Sequence, residues 1–250
     1  MESTGYYTNG YKDSTWTFFY DNESMKMQGK YEDDYRIGEW KQWYSDKTLK
    51  QQIVYRAKLE RVVNFYDASG NLMVENGNGR WEEFYENNQK KASGSFKDSL
   101  KDGQWEAYNL EGKLQFQHNY KSGKAHGLWT DFYPSGLVRN GGAYQNDQKD
   151  GMWISYYEDG AKRSEVSYSG GKKEGISKQW FPQNVLAEEG NFVSGQKDGE
   201  WKFYRENGKL DMRGNFSEDK QDGHWEYYFK NEEQLLFEGD YSKELRNGKW

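Results

Sequence analysis

Gly199-Glu200-Trp201-Lys202-Phe203-Tyr204-Arg205-Glu206-Asn207-Gly208, followed by Leu210 and by Gly214-Asn215-Phe216, is the stretch that decides the fold. It reads as strand, turn, strand: aromatic side chains precede an Asn-Gly step, where Gly supplies positive φ cheaply, and a second extended segment then runs back toward the next tryptophan. The same spelling recurs with Trp at 16, 40, 81, 105, 129, 153, 201, 225 and 250. From Trp81 to Trp225 the interval is 24 residues if Ser177 is a degenerate anchor, and Val62 completes the series with short units of 22 and 19 residues. A fixed period in this range decides the architecture.

Counted from each anchor, position +3 is aromatic in all ten complete units, and position +4 is aromatic except at Asn109 and Arg205. Glycine stands two residues before most anchors, and a G-x-[YF] element places Tyr31, Phe96, Tyr144 or Phe216 nine residues before the next one. Polar segments such as Lys197-Asp198-Gly199 are expected to be the loops that lead into each tryptophan. Gly, Asn and Asp interrupt the pattern too often for a helix to form. The expected fold is all-β: an elongated array of about ten antiparallel β-hairpins, forming one repeat domain over residues 1–250. Strict two-residue alternation puts the anchor and +4 on one face and +3 on the other, so either both faces bury aromatics or a bulge re-aims one of them.

The G-x-W-x-x-[YF]-[YF]-x-x-x-G unit with its G-x-[YF] return strand resembles the variant MORN repeat, as arrayed in YwqK-family antitoxins. The likeness runs from Gly5 to Trp250 and includes a shortened unit, Val62 to Gly70, followed by the loop Asn76-Gly77-Asn78-Gly79. It implies a twisted antiparallel β-array that binds other proteins and has no activity of its own. The chain departs from the pattern where Val62 and Ser177 replace Trp, and where Ser14 and Glu60 replace Gly. Met1 and Trp250 both fall inside the pattern, as they would in an array cut from something longer.

Composition narrows the classes. With 11 Trp, 21 Tyr and 13 Phe in 250 residues, aromatic mass replaces the scarce aliphatics, so disorder is not expected. No apolar run approaches a membrane span, and the first ten residues do not read as a signal peptide. The compartment stays open. Cysteine is absent, which removes disulfides, thiolate metal sites and a cysteine nucleophile. A formal net charge of −6 argues against nucleic acid, and 35 basic against 41 acidic residues disfavours an anionic membrane surface.

No catalytic, metal or cofactor residues are expected. His118, which replaces the usual Gly, His126 and His224 lie in three different units and read as surface groups. Glu82-Glu83 and Asp33-Asp34 read as solvated charge. The recurring positions, Trp81, Trp105, Trp129, Trp153, Trp201 and Trp225 above all, are expected to form a buried spine. Trp180 is expected to refill the volume lost at Ser177. Binding should fall where the units differ: the candidate partner face comprises Lys178, Phe203 and Tyr227, with Phe18. The expected function is a non-enzymatic protein-binding scaffold, antitoxin-like, with a glycan-binding array as the alternative and a membrane-associated scaffold as the next.

Overall fold

The structure is a computed structural model that describes residues 2–230 and 234–250; Met1 and the three residues 231–233 lie outside them. Among the described residues there are twenty-two strands, which hold about 70% of the chain, and the 3-10 turn Pro182–Asn184 is the sole helical element. They fall into two compact units, residues 1–112 with 120–124, and residues 113–119 with 125–250.

The first unit contains β1 (Ser3–Thr8), β2 (Tyr11–Phe19), β3 (Met25–Glu32), β4 (Tyr35–Trp43), β5 (Leu49–Arg56), β6 (Leu59–Tyr66), β7 (Leu72–Glu75), β8 (Asn78–Phe84), β9 (Lys90–Lys97) and β10 (Leu100–Tyr108). Each pairs antiparallel with its neighbour in sequence. The residues of β11 (Leu114–Lys121) are divided between the units. The second unit continues with β12 (Lys124–Phe132), β13 (Val138–Gln145), β14 (Gln148–Tyr156), β15 (Lys162–Ser169), β16 (Lys172–Trp180), β17 (Leu186–Val193), β18 (Gln196–Tyr204), β19 (Leu210–Ser217), β20 (Lys220–Tyr228), β21 (Leu235–Ser242) and β22 (Leu245–Asn247). There too the pairing from β12 onward is a simple antiparallel meander.

Two kinds of turn alternate. After most anchor strands the chain folds over an Asx turn, as after β18, where the Gly208 N–H donates to the Arg205 carbonyl (2.8 Å) and Asn207 Oδ1 accepts from the Lys209 N–H (3.0 Å). Before each anchor strand comes a two-residue turn with both residues in the left-handed region, such as Asp33-Asp34 (φ 48° and 65°) or Ser194-Gly195 (54° and 95°). This corrects the expectation for Lys197-Asp198-Gly199, which lies inside β18 and not in a loop. Gly199 (φ 73°) marks a β-bulge, where the register with β17 jumps from Glu189↔Lys202 to Asn191↔Asp198.

The bulge sets which residues face which way. Anchor and +2 share one face, whereas −1 and +1 face the other. Position +3 is half-buried in most units and does not belong to the anchor row. Phe65 is the exception, because a bulge at Val63 brings Val62 and Phe65 to one face opposite Ile53 and Gln51. Val62, Phe65 and Val74 form one buried cluster, and Trp16, Tyr31, Trp40 and Ile53 another. Trp180, an odd number of residues from Ser177, does not refill its place. Ser177 is buried, with Val166 and Gly190 opposite it on the adjoining strands.

Laterally, the +4 tyrosines join successive hairpins. Tyr20, Tyr44, Tyr85, Tyr133 and Tyr157 each donate their hydroxyl to the carbonyl of a +3 residue or its equivalent one unit on, at 2.7–2.9 Å. At Arg205, which breaks the aromatic pattern, the guanidinium donates to the corresponding Tyr228 carbonyl and so keeps the link.

Candidate functional site

The row of indoles is built from four positions of the repeat. A Cβ added at Gly190 would meet Trp201 Cδ2 at 2.2 Å and Cε2 at 2.3 Å, so the bond shared by the two rings of the indole lies directly on glycine backbone of the preceding return strand. The Trp201 Nε1–H donates to the Asn191 carbonyl (3.1 Å), and the Phe192 ring stands edge-on at 5.1 Å. Lys197 places its ammonium 4.0 Å from the ring centroid. Glycine floor, carbonyl, aromatic edge and cation therefore come from positions −11, −10, −9 and −4. This accounts for the G-x-[YF] element as one construction: each residue of the triplet holds a different side of the same indole.

Trp16, Trp40, Trp105, Trp153 and Trp225 make the same bond to the residue ten before them, at 2.9–3.2 Å. Lys12, Arg36, Lys101 and Lys149 cap four of these rings at 4.1–4.7 Å. Burial pushes the Lys101 and Lys149 ammonium groups below the ordinary lysine value, partly offset by the charges of Glu60 and Asp131 respectively. All six indoles are buried, at 0–7% exposure.

The exceptions follow the same logic. At −11 from Ser177 stands Val166, so the unit that lacks the indole also lacks its floor. His118 fills the seat below Trp129, and the two rings stack at 3.5 Å, with Trp129 left half-buried. Trp81, whose −11 residue Gly70 is in a turn, is also half-buried. The expectation that all tryptophans are equivalent buried anchors is therefore corrected at Trp81 and Trp129. His118 is buried, contrary to its reading as a surface group, with Nε2 2.8 Å from Asp131 Oδ1. Burial raises and the contact with His118 lowers the Asp131 pKa, leaving it below the ordinary carboxylate value, helped by Arg139.

The candidate partner residues divide between the faces. Phe203 lies between Trp201 and Trp225 (6.2 and 6.4 Å), Tyr227 continues that stack, and Phe18 packs on Trp16 and Trp40 in the same manner. Lys178 is on the opposite face, in register with Glu189 and paired to it at 3.1 Å. One stripe through Lys178, Phe203 and Tyr227 is not formed, because +1 and +2 point to opposite sides.

What shares a face with Lys178 is position −1, which the sequence reading passed over. In the second unit it is apolar three times in succession: Leu128, Met152 and Ile176 are 72%, 46% and 60% exposed. Their cross-strand partners Ala143, Ser167 and Asn191 leave them uncovered. Elsewhere −1 is polar, as at Thr15, Glu39, Gln104, Glu200 and His224. Ile176 borders a groove of about 320 Å³ that Lys178, Glu189, Glu200 and Lys202 also line.

Metal-ligating groups come together at His224, Glu226 and Glu238, whose ligand atoms lie within 4.8 Å of one another. Intramolecular partners already engage them. Arg213 holds Glu226 at 2.6 and 3.0 Å, and His224 bridges Asp240 (3.1 Å) and Glu238 (3.3 Å).

Five segments match the family model described as MORN repeat variant: residues 36–57, 77–98, 101–122, 149–169 and 197–218. Each begins at the −4 position and ends one or two residues past the aromatic residue of the return strand, Tyr55, Phe96, Tyr120, Tyr168 or Phe216. The intervening units carry departures such as Ser14, Ala125, Ser177 and Gln221. No curated protein matches the chain. Among solved structures, the chain is similar to one described as the crystal structure of TcdB2-TccC3 (13% identity, 87% of this chain, 14% of that one, TM-score 0.22). It is also similar to a Tc holotoxin pore of Photorhabdus luminescens (12% identity, 93% and 14%, TM-score 0.21). The chain thus spans about a seventh of the length of these structures, and likeness at such scores supports no functional argument.

Proposed function

We propose that the chain is a non-enzymatic repeat scaffold that binds another protein through the face opposite its indole row. The observation that carries this is the exposed stripe Leu128, Met152 and Ile176. Successive members stand two strands apart, about 10 Å at the usual strand spacing, so the stripe presents a ladder of apolar contacts about 20 Å long. Exposed apolar groups aligned in this way, with charged neighbours such as Lys178 and Glu189, have the composition of a binding patch with a polar rim. Repeat arrays characteristically bind through equivalent positions of successive units. The resemblance to YwqK-family antitoxins extends the reading to a partner that is neutralised by being covered. Sugar stacking on tryptophan is less well supported, since the six seated indoles have glycine on one side and, in most units, a cation on the other.

The test compares proteins captured from the native organism by the wild-type chain, by a Leu128→Ser/Met152→Ser/Ile176→Ser variant and by Glu206→Ala, an exposed position in the turn after β18. A partner retained by wild type and Glu206→Ala, and lost with the triple variant, is expected. Identical captures by all three chains, or none by any, would sink the assignment of this face.

A further inference from the structure

The shortened unit opens a cleft that the regular units do not have. In a full-length unit the return strand pairs with the next anchor strand on both sides of the bulge; for β17 and β18 the far pairs are Glu189↔Lys202 and Glu188↔Phe203. β7 has four residues, and its pairing with β8 stops at Val74↔Gly79. The corresponding positions of β8, Glu82 and Glu83, pair with Ser93 and Ala92 of β9 on one side and with no strand on the other. Instead of a strand there is a space of about 460 Å³ between the turn after β6 and the end of β8, within the usual size range of ligand pockets.

The lining of this cleft has a definite chemistry. Tyr44, Phe65, Phe84 and Tyr85 contribute aromatic rings, and Asp67, Glu82, Glu83 and Glu86 contribute carboxylates against the single ammonium of Lys50. Phe84 occupies the +3 position, yet it is 50% exposed. The chain's own cations show what the walls attract. Lys50 reaches across from β5 to Glu83 (2.9 Å) and stands 5.5 Å from the Tyr44 ring, while Lys91 approaches Glu83 (3.4 Å) and the Tyr85 ring (5.9 Å). Lys90 is similarly placed on Glu82 (3.1 Å). Asp67 is committed to its own turn, where it accepts from Ser69 and Asn71. Glu86 has no ion-pair partner among the described residues.

We propose that this cleft binds an organic cation, an alkylammonium or guanidinium group, with Phe84 and Tyr85 as the aromatic wall and Glu86 as the counter-charge. Aromatic faces attract cations through their quadrupole, and a nearby carboxylate adds a directed charge without enclosing the site. The cation could belong to a small molecule or to a side chain of a protein, and the same chemistry serves both.

The experiment is calorimetric titration of the full chain with choline, with N-acetylarginine amide and with 3,3-dimethylbutan-1-ol, the uncharged shape-mimic of choline. At least one cation is expected to bind, and the alcohol to bind about tenfold more weakly or not at all. Phe84→Ala and Glu86→Gln, both at exposed positions and checked for an unchanged circular dichroism spectrum, should each weaken that binding about fivefold or more. Glu158→Gln, in the other unit, should leave it unchanged. Tighter binding of choline would point to a free quaternary amine, and tighter binding of the arginine amide to a basic side chain. Equal binding of the alcohol, absence of binding by both cations, or indifference to both cleft variants would overturn the proposal.

Discussion

Gly190→Ala tests the seating of the indole row by putting a methyl group in place of a hydrogen where there is no room. Gly190 lies in strand backbone with ordinary negative φ, so alanine costs nothing through its own conformation. Its Cβ would sit 2.2 Å from Trp201 Cδ2, whereas carbon pairs rest at about 3.5–4.0 Å, so the ring must retreat by more than about 1 Å. Overpacking of this kind costs about 1–3 kcal/mol. Retreat also loosens the Nε1–H bond to Asn191, worth about 1 kcal/mol, and the Lys197 contact, worth about 0.5–1 kcal/mol. The sum is about 3 kcal/mol, and it cannot exceed the roughly 3–5 kcal/mol of removing the side chain outright by Trp201→Ala. Urea denaturation followed by far-ultraviolet circular dichroism measures both single variants and the double variant. If the alanine acts through the indole, Gly190→Ala should cost almost nothing once Trp201 is Ala. Gly195→Ala is the comparison: it meets open space at φ +95° and should cost about 1–2 kcal/mol whichever residue stands at 201. Additive losses for Gly190→Ala and Trp201→Ala would refute the seating argument.

Tyr133→Phe removes the hydroxyl that donates to the Tyr156 carbonyl (2.8 Å) and should cost about 1 kcal/mol in the same melts, with amide exchange quickening in β14; an unchanged midpoint would show that the lateral links contribute nothing. His224 hydrogen-bonds first to Asp240 and then to Glu238, which raises its pKa above the ordinary histidine value. The stabilisation from this raised pKa is complete below the unfolded histidine value of about 6.5 and is lost as pH rises through the raised folded value. An NMR titration should place the His224 midpoint above 6.5, and Asp240→Asn should bring it down; a midpoint at or below that value would contradict the contact.

The sequence reading reached the hairpins, the glycine turns after the anchor strands and most of the anchors because each depends on residue types that recur at one interval and have a single structural use. Lys197-Asp198-Gly199 misled it, since a glycine with positive φ in a bulge is spelled like a glycine in a turn, and the true turn lay two residues further back. That shift also hid the phase of the strand. Without it, Lys178 and Phe203 could be drawn on one stripe, and Leu128, Met152 and Ile176 could not be recognised as sharing an exposed face. The cations at −4 were present in the pattern as Lys12, Arg36, Lys101, Lys149 and Lys197. They were passed over, Lys197 reading only as part of a loop, because nothing in one hairpin shows that the ring four residues on has an uncovered side. The cleft beside β8 was foreshadowed by the 19-residue unit, but a missing half-strand is legible only once the register of its neighbours is known.

Seating each indole on glycine eleven residues earlier, within a period of 24, has a consequence for how such a chain can lengthen. Wherever a 24-residue window is opened, it holds one floor and one ring, so a tandem copy leaves every ring with a floor at the proper offset even if the break falls inside a strand. Growth by whole periods is therefore indifferent to where the copy begins, whereas decay by single substitutions is not. A ring lost alone leaves a hollow above bare backbone, and a side chain gained at the floor lifts the ring above it. Val166 with Ser177 shows both losses together, the one combination in which neither partner is left without a counterpart.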